Sequence, residues 1–185
     1  MCETNDKNIK IPNAANETVS VIIPCYNSER YLENCFRCLD NSTYENLQII
    51  FIDDGSEDKT AEKIKNYVSE REKAEYHYIS HSGVADARNK GLKYATGKYV
   101  TFYDVDDTIT PHHFENLKNT VETYGADVAV CAYTRDKIRK IEKLKKSEPR
   151  IFYGENALER LLSQNIFNYC LWNKMYRAEI IREKG

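Results

Sequence analysis

No apolar run in the 185-residue sequence approaches the roughly 20 residues that a membrane-crossing helix needs. That leaves no candidate transmembrane segment in it. Charge of one sign is also scarce: 27 Lys and Arg face 29 Asp and Glu, a formal net charge of −2. The molecule as a whole therefore makes no case for nucleic acid as a partner. There is no internal repeat and no low-complexity segment, which removes repeat arrays from consideration. The amino-terminal MCETNDKNIKIPNAANET is polar and lacks the apolar stretch of a secretory leader. Residues 1–18 read as a loosely held tail.

Six cysteines are present, but their spacing builds no disulfide framework. Cys25 and Cys131 fall in apolar strand-like runs, and Cys35 falls on an apolar helix face. Cys35 and Cys38 are spaced C-x-x-C, yet no second pair stands at metal-site spacing. The pair also falls within a helix rather than at a helix start, where a thiolate is favoured. These thiols read as reduced core residues of a cytoplasmic protein. The N-x-[ST] matches at Asn16 and Asn41 are then incidental.

With 41% hydrophobic and 30% charged residues, the chain is a soluble globular one, long enough for one domain or most of one. Its hydrophobic pattern alternates. VSVIIP (19–24) reads as a buried strand, followed by a helix opening at Ser28 with Tyr31, Leu32, Cys35, Phe36 and Leu39 on one face. LQIIFID (47–53) is a second strand, residues 59–72 a polar helix and 76–80 a third strand. A helix over 84–95 leads into YVTFYD, the fourth strand, and a helix from Pro111 to Tyr124 precedes DVAVCAY (127–133), the fifth. Residues 155–164 read as a further helix. The pattern predicts an α/β fold, a Rossmann-like, mostly parallel sheet with helices on both faces. Such sheets bind ligands at the carboxyl ends of their strands.

From Thr134 the pattern breaks. RDKIRKIEKLKKSEPR holds eight basic residues against three acidic ones. It reads as a solvated loop or edge hairpin. The sharper alternative is peripheral contact with an anionic membrane surface or a lipid-phosphate acceptor.

Acidic residues close two of the strands: Asp53 and Asp54 after QIIFI, then Asp104, Asp106 and Asp107 after YVTFY. In a parallel sheet both groups share one rim. Gathered carboxylates repel each other unless a cation compensates, and a few oxygen ligands backed by water and phosphate suit Mg²⁺ or Mn²⁺. Strand-end aspartates also serve as turn formers or caps, as Asp58 and Asp107 can. Taken alone, DVDDT also fits an aspartyl phosphatase of the haloacid dehalogenase type. That class needs a further acidic pair at a later strand end, and after Asp107 only Asp127 and Asp136 remain, both isolated. A nucleotidyltransferase would need a glycine-rich start after the first strand, which is absent.

The chain resembles family 2 glycosyltransferases, inverting enzymes of the GT-A fold. VSVIIPCYNSERYLENCFRCL resembles that family's first strand and helix, and FIDDGSEDKT its second strand end. SGVADARNKGLKYATGKYVTFYDVDD is similar to its run into the D-x-D motif, and WNKMYRAEII to its W-x-K-L-Y-R segment. Together the four, in order, cover Val19 to about Arg182.

The resemblance implies a nucleotide pocket lined by Pro24, Tyr26 and Asn27, with Asp53 on the base and Asp54 shaping the same pocket. It places Arg88 near the diphosphate or ribose, with Gly83 and Asn89 shaping that loop. Asp104 would face the ribose and sugar. Asp106, with Asp104, would hold Mn²⁺ or Mg²⁺, and Asp107 is a weaker ligand. Trp172 and Lys174 would lie towards the acceptor, although Trp172 fits a core position equally well.

The implied reaction moves a sugar from a nucleoside diphosphate donor, UDP-linked by expectation, to a hydroxyl of a glycan or lipid-linked acceptor, with inversion. The implied setting is cell-surface polysaccharide synthesis at the cytosolic membrane face. Residues 19–133 would form the donor core and 134–185 the start of an acceptor-side region. The family's catalytic base is expected beyond Gly185, so a non-catalytic nucleotide-binding module stands as the alternative. No Q-x-x-R-W motif is present, which points to single-sugar addition.

Overall fold

The computed structural model describes residues 17–134, 149–162 and 170–182. Its strands are β1 (Val19–Cys25), β2 (Leu47–Asp54), β3 (Ala74–Ile79), β4 (Tyr99–Phe102), β5 (Val128–Val130) and β6 (Lys174–Arg177). Its helices are α1 (Leu32–Asp40), α2 (Thr60–Ser69), α3 (Val84–Tyr94), α4 (His113–Tyr124), α5 (Gly154–Leu162) and α6 (Ala178–Arg182). The strands form one sheet in the order β3-β2-β1-β4-β6-β5. β1 pairs in parallel with β2 and β4, and β2 in parallel with β3. β6 runs antiparallel between β4 and β5.

The central strands are continuously apolar because both of their faces are covered. Val19, Val21, Ile23 and Phe51 join Leu32, Cys35 and Leu39 of α1, Ile64 of α2, and Phe114, Leu117 and Val121 of α4 in one core. Ile22, Ile50 and Ile52 point the other way, against Ala87 of α3 and Ala178 of α6. Each fully buried Ile, Val or Phe contributes about 1.5–3 kcal/mol of transfer free energy. Cys25, Cys35 and Cys38 are buried among these residues, and burial raises the thiol pKa of Cys25 and Cys35. The described cysteines are free thiols, as the spacing predicts.

α3 lies unusually close to the sheet. A Cβ on Gly91 would stand 2.3 Å from Cγ2 of Ile22. That close approach sets where Arg88, one turn earlier in α3, meets the strand ends.

One local expectation fails. Ser28 does not cap α1, which starts four residues later, at Leu32, after a turn in which Tyr31 N donates to Ser28 O (2.9 Å). Ser28 is buried instead: its N–H donates to Thr60 Oγ1 (2.7 Å) and its hydroxyl to Tyr26 O (3.1 Å). β6 goes unforeseen because KMYR is four residues long and half charged, so no period is readable from it. Its place is fixed from outside, by two neighbours remote in sequence. The basic run at 135–148 lies outside the described residues. Among the described residues no helix is long and apolar enough to cross a membrane.

Candidate functional site

The carboxyl ends of β1, β2 and β4 meet at one rim, with the β3–α3 loop beside them. Both acidic groups lie on this rim, separated by β1. They do different work.

Asp53 and Asp54 are buried and bonded to their own chain. Asp53 accepts from Ser56 N (2.9 Å) on one oxygen and from the Tyr76 hydroxyl (2.8 Å) on the other. Tyr76 is thereby held well above its ordinary pKa, by burial and by the carboxylate beside it. Asp54 accepts from Ser82 N (2.7 Å) and Gly83 N (2.9 Å), and its Oδ2 lies 3.0 Å from His81 Nδ1. Amide dipoles thus offset a carboxylate that water cannot reach. With 0% of its surface accessible, Asp53 has no surface to offer a base in this conformation. It braces the rim from beneath, which differs from the direct contact the resemblance implied. Gly55 (φ +75°) and Gly83 (φ +97°) allow these turns, and a Cβ on Gly55 would meet the His81 backbone nitrogen at 3.0 Å.

Above that bed lie the exposed residues. Tyr26 is 47% accessible, and its ring stacks on His81 at 4.2 Å between centroids and 22° between planes. Asn27 takes a left-handed conformation (φ 47°). Its N–H donates to Ser56 Oγ (3.0 Å) and its Oδ1 accepts from Glu57 N (2.8 Å), so it bolts the β1 loop to the β2 loop. Pro24 is the last but one residue of β1, in register with Ile52.

On the other side of β1, Arg88 Nη2 donates to Asp104 Oδ1 at 2.7 Å. Arg88 Nε is buried without a hydrogen-bond partner among the described residues. The turn that carries Asp104, Asp106 and Asp107 is closed by Asp107 N to Asp104 O (3.0 Å) and by the Tyr103 hydroxyl to Asp107 O (3.0 Å). Val105 is buried, while Asp106 is exposed. Asn34 of α1 steadies the turn from outside, donating to Asp107 O (3.3 Å) and Thr108 Oγ1 (3.1 Å). Asp107 is pushed up to about 6, first by burial and then by the charges of Asp106 and Asp104. The turn is therefore over-supplied with negative charge. No group of three or more His, Cys, Asp or Glu forms a cage among the described residues. An ion here would take one or two carboxylates and draw its remaining ligands from water and ligand oxygens, as Mg²⁺ and Mn²⁺ do.

Trp172 and Lys174 fall elsewhere. Trp172 is half-buried, packed edge-to-face on Tyr133 at 5.0 Å. Lys174 is buried in β6, with its ammonium donating to Asn173 Oδ1 (2.9 Å) and to the Cys170 carbonyl. Burial lowers its pKa, and its head group is directed into the protein. Asn89 is exposed on α3. Sequence reasoning missed His81, Ser56 and Tyr76. A lone histidine between a strand and a glycine carries no motif, and their partners come from other loops.

The chain matches the family described as Glycosyl transferase family 2 over residues 20–185. It is 31% identical over 175 residues to "Uncharacterized glycosyltransferase YibD" of Escherichia coli (strain K12), covering 91% of this chain and 51% of that protein. Among solved structures it is similar to S. aureus TarS 1-349 in complex with UDP-GlcNAc, at TM-score 0.68 and 23% identity over 90% of this chain and 47% of that one. It is also similar to the mannosyltransferase PcManGT of Pyrobaculum calidifontis in complex with GDP-Man and Mn²⁺, at TM-score 0.64 and 17% identity, covering 93% and 48%. The chain spans between 13% and 54% of the length of curated relatives that it matches, and 51% of YibD.

Proposed function

The chain belongs to glycosyltransferase family 2 and has the GT-A fold, and on that premise we propose that it binds a nucleoside diphosphate sugar at the rim of β1, β2 and β4 for transfer with inversion. The observation that carries this reading is the Arg88–Asp104 pair beside Asp106: a cationic fork and an exposed carboxylate share one edge. Arg88 suits diphosphate oxygens, which a guanidinium grips in two places. Tyr26 offers its ring to the nucleobase. Asp53 and Asp54 hold the loops that present these groups, and Pro24 and Asn27 fix the β1 end of the pocket.

Asp106, with Asp104, would hold Mn²⁺ or Mg²⁺, which when bound neutralises charge on the departing nucleoside diphosphate. The acceptor, a glycan or lipid-linked hydroxyl, attacks opposite that leaving group, and its proton passes to a carboxylate outside these rim residues. Trp172 and the β6 segment shape the acceptor flank. The proposed setting is assembly of a cell-surface polysaccharide at the cytosolic membrane face, with UDP the first nucleotide to try. The test is a thermal-shift series with UDP-, GDP- and CDP-sugars in the presence of Mn²⁺. One class should raise the melting temperature in proportion to the logarithm of its concentration. A flat response to all three refutes the reading.

A further inference from the structure

We propose that His81 is a positioning residue for the nucleobase, holding the Tyr26 ring in the orientation the base meets. The inference deepens the proposed donor site and rests on it. Three observations carry it. The imidazole and phenol rings stack at 4.2 Å and 22° although both side chains are largely exposed, at 56% for His81 and 47% for Tyr26. Burial therefore contributes little to keeping them together.

The imidazole is pinned from below. Its Nδ1 lies 3.0 Å from Asp54 Oδ2 and 3.1 Å from Asp54 O, and both of those atoms are acceptors, so Nδ1 carries a proton. Asp54 is itself buried and gripped by the amides of Ser82 and Gly83. The chain of support therefore runs from β2 through Asp54 to His81, and from His81 to Tyr26 on β1's loop.

The consequence for binding is entropic and geometric. A free tyrosine on a rim must give up rotamers when a base stacks on it, whereas a ring already held has lost them beforehand. Here one face of the ring is already covered by His81, and only the other remains for a ligand. The ligand class follows from this: one flat ring, taken on one side, with its diphosphate reaching across β1 to Arg88.

The test is calorimetric titration with Mn²⁺, comparing whichever of UDP, GDP or CDP binds the wild type with inorganic pyrophosphate. His81→Ala is expected to weaken the nucleotide roughly tenfold, the scale of one aromatic stack, and to leave pyrophosphate unchanged. His81→Phe, which keeps the stacking ring but loses the N–H to Asp54, should recover part of the affinity, while His81→Asn, which has no ring, should behave like His81→Ala. Equal loss of nucleotide and pyrophosphate would show general collapse of the loop and overturn the inference. So would wild-type affinity in His81→Ala, or no recovery in His81→Phe. A wild type that binds no nucleotide overturns the donor-site reading itself, an outcome separate from any difference among the variants.

Discussion

Arg88 on α3 and Asp104 at the end of β4 meet at 2.7 Å across the amino-terminal strand β1. The guanidinium is the internal counter-charge of a turn that holds three carboxylates. In the proposed site a donor diphosphate would compete for the same fork, and a divalent ion would relieve Asp104 of it. Arg88→Ala is therefore expected to weaken nucleoside diphosphate binding by about 10- to 100-fold, the range for a hydrogen bond to a charged group. Arg88→Lys should recover little, because a point charge lacks the fork. Titration of the three proteins with nucleotide and Mn²⁺ checks this, and full recovery in Arg88→Lys would contradict it.

Asp54 is expected to matter for the loops more than for chemistry. Asp54→Ala leaves the amides of Ser82 and Gly83 without their acceptor, at about 1–3 kcal/mol. The melting temperature should fall by roughly 2–12 °C, taking about 2–4 °C per kcal/mol for a chain of this size. Hydrogen exchange at Ser82 and Gly83 should accelerate. Unchanged exchange would show that the loop is held by something else.

Gly91 fixes the distance between α3 and β1. Gly91→Ala puts a methyl 2.3 Å from Ile22 Cγ2, and overpacking of this kind costs about 1–3 kcal/mol. Pairing it with Ile22→Ala, which removes the Cγ2 methyl that the new Cβ meets, should cost less than the sum of the two single losses. Additive losses in a double-mutant cycle would show that the contact is not shared.

His113 gives a pH dependence with a definite sign. Its ring packs edge-to-face on Phe114 at 5.1 Å, and burial pushes its pKa down to about 4. In the unfolded chain the value is near 6.5. The fold therefore favours the neutral ring, and this contribution is fully present above about pH 6.5. It is lost as pH falls towards 4. His113→Leu should lose less melting temperature than the wild type between pH 7 and pH 4.5. Parallel curves would remove His113 from the acid response.

Much of this architecture is legible in the sequence because the strands that build the rim are buried on both faces. VSVIIP and LQIIFID read as strands without any knowledge of their neighbours, and acidic residues at the ends of LQIIFID and YVTFYD mark the rim. β6 is different. Lys174–Arg177 is placed by β4 and β5, and a pattern of four residues cannot announce it. The roles of the first acidic pair were equally hidden. Asp53 and Asp54 look like their counterparts at Asp104 and Asp106, yet they are buried because Ser56, Tyr76, Ser82 and Gly83 converge on them from two loops and strand β3. Spacing reveals which strand an aspartate ends. It does not reveal which donors will fold over it.

Asp106 and Arg88 anchor the proposed donor site, and one calorimetric comparison tests it: UDP, GDP and CDP titrated into wild type and Asp106→Ala, each with Mn²⁺ and with EDTA. The prediction is that the wild type binds one nucleotide with Mn²⁺, that EDTA weakens this binding at least tenfold, and that Asp106→Ala with Mn²⁺ matches the EDTA result. Binding that is indifferent to both EDTA and Asp106→Ala, or no binding to any of the three, would contradict it.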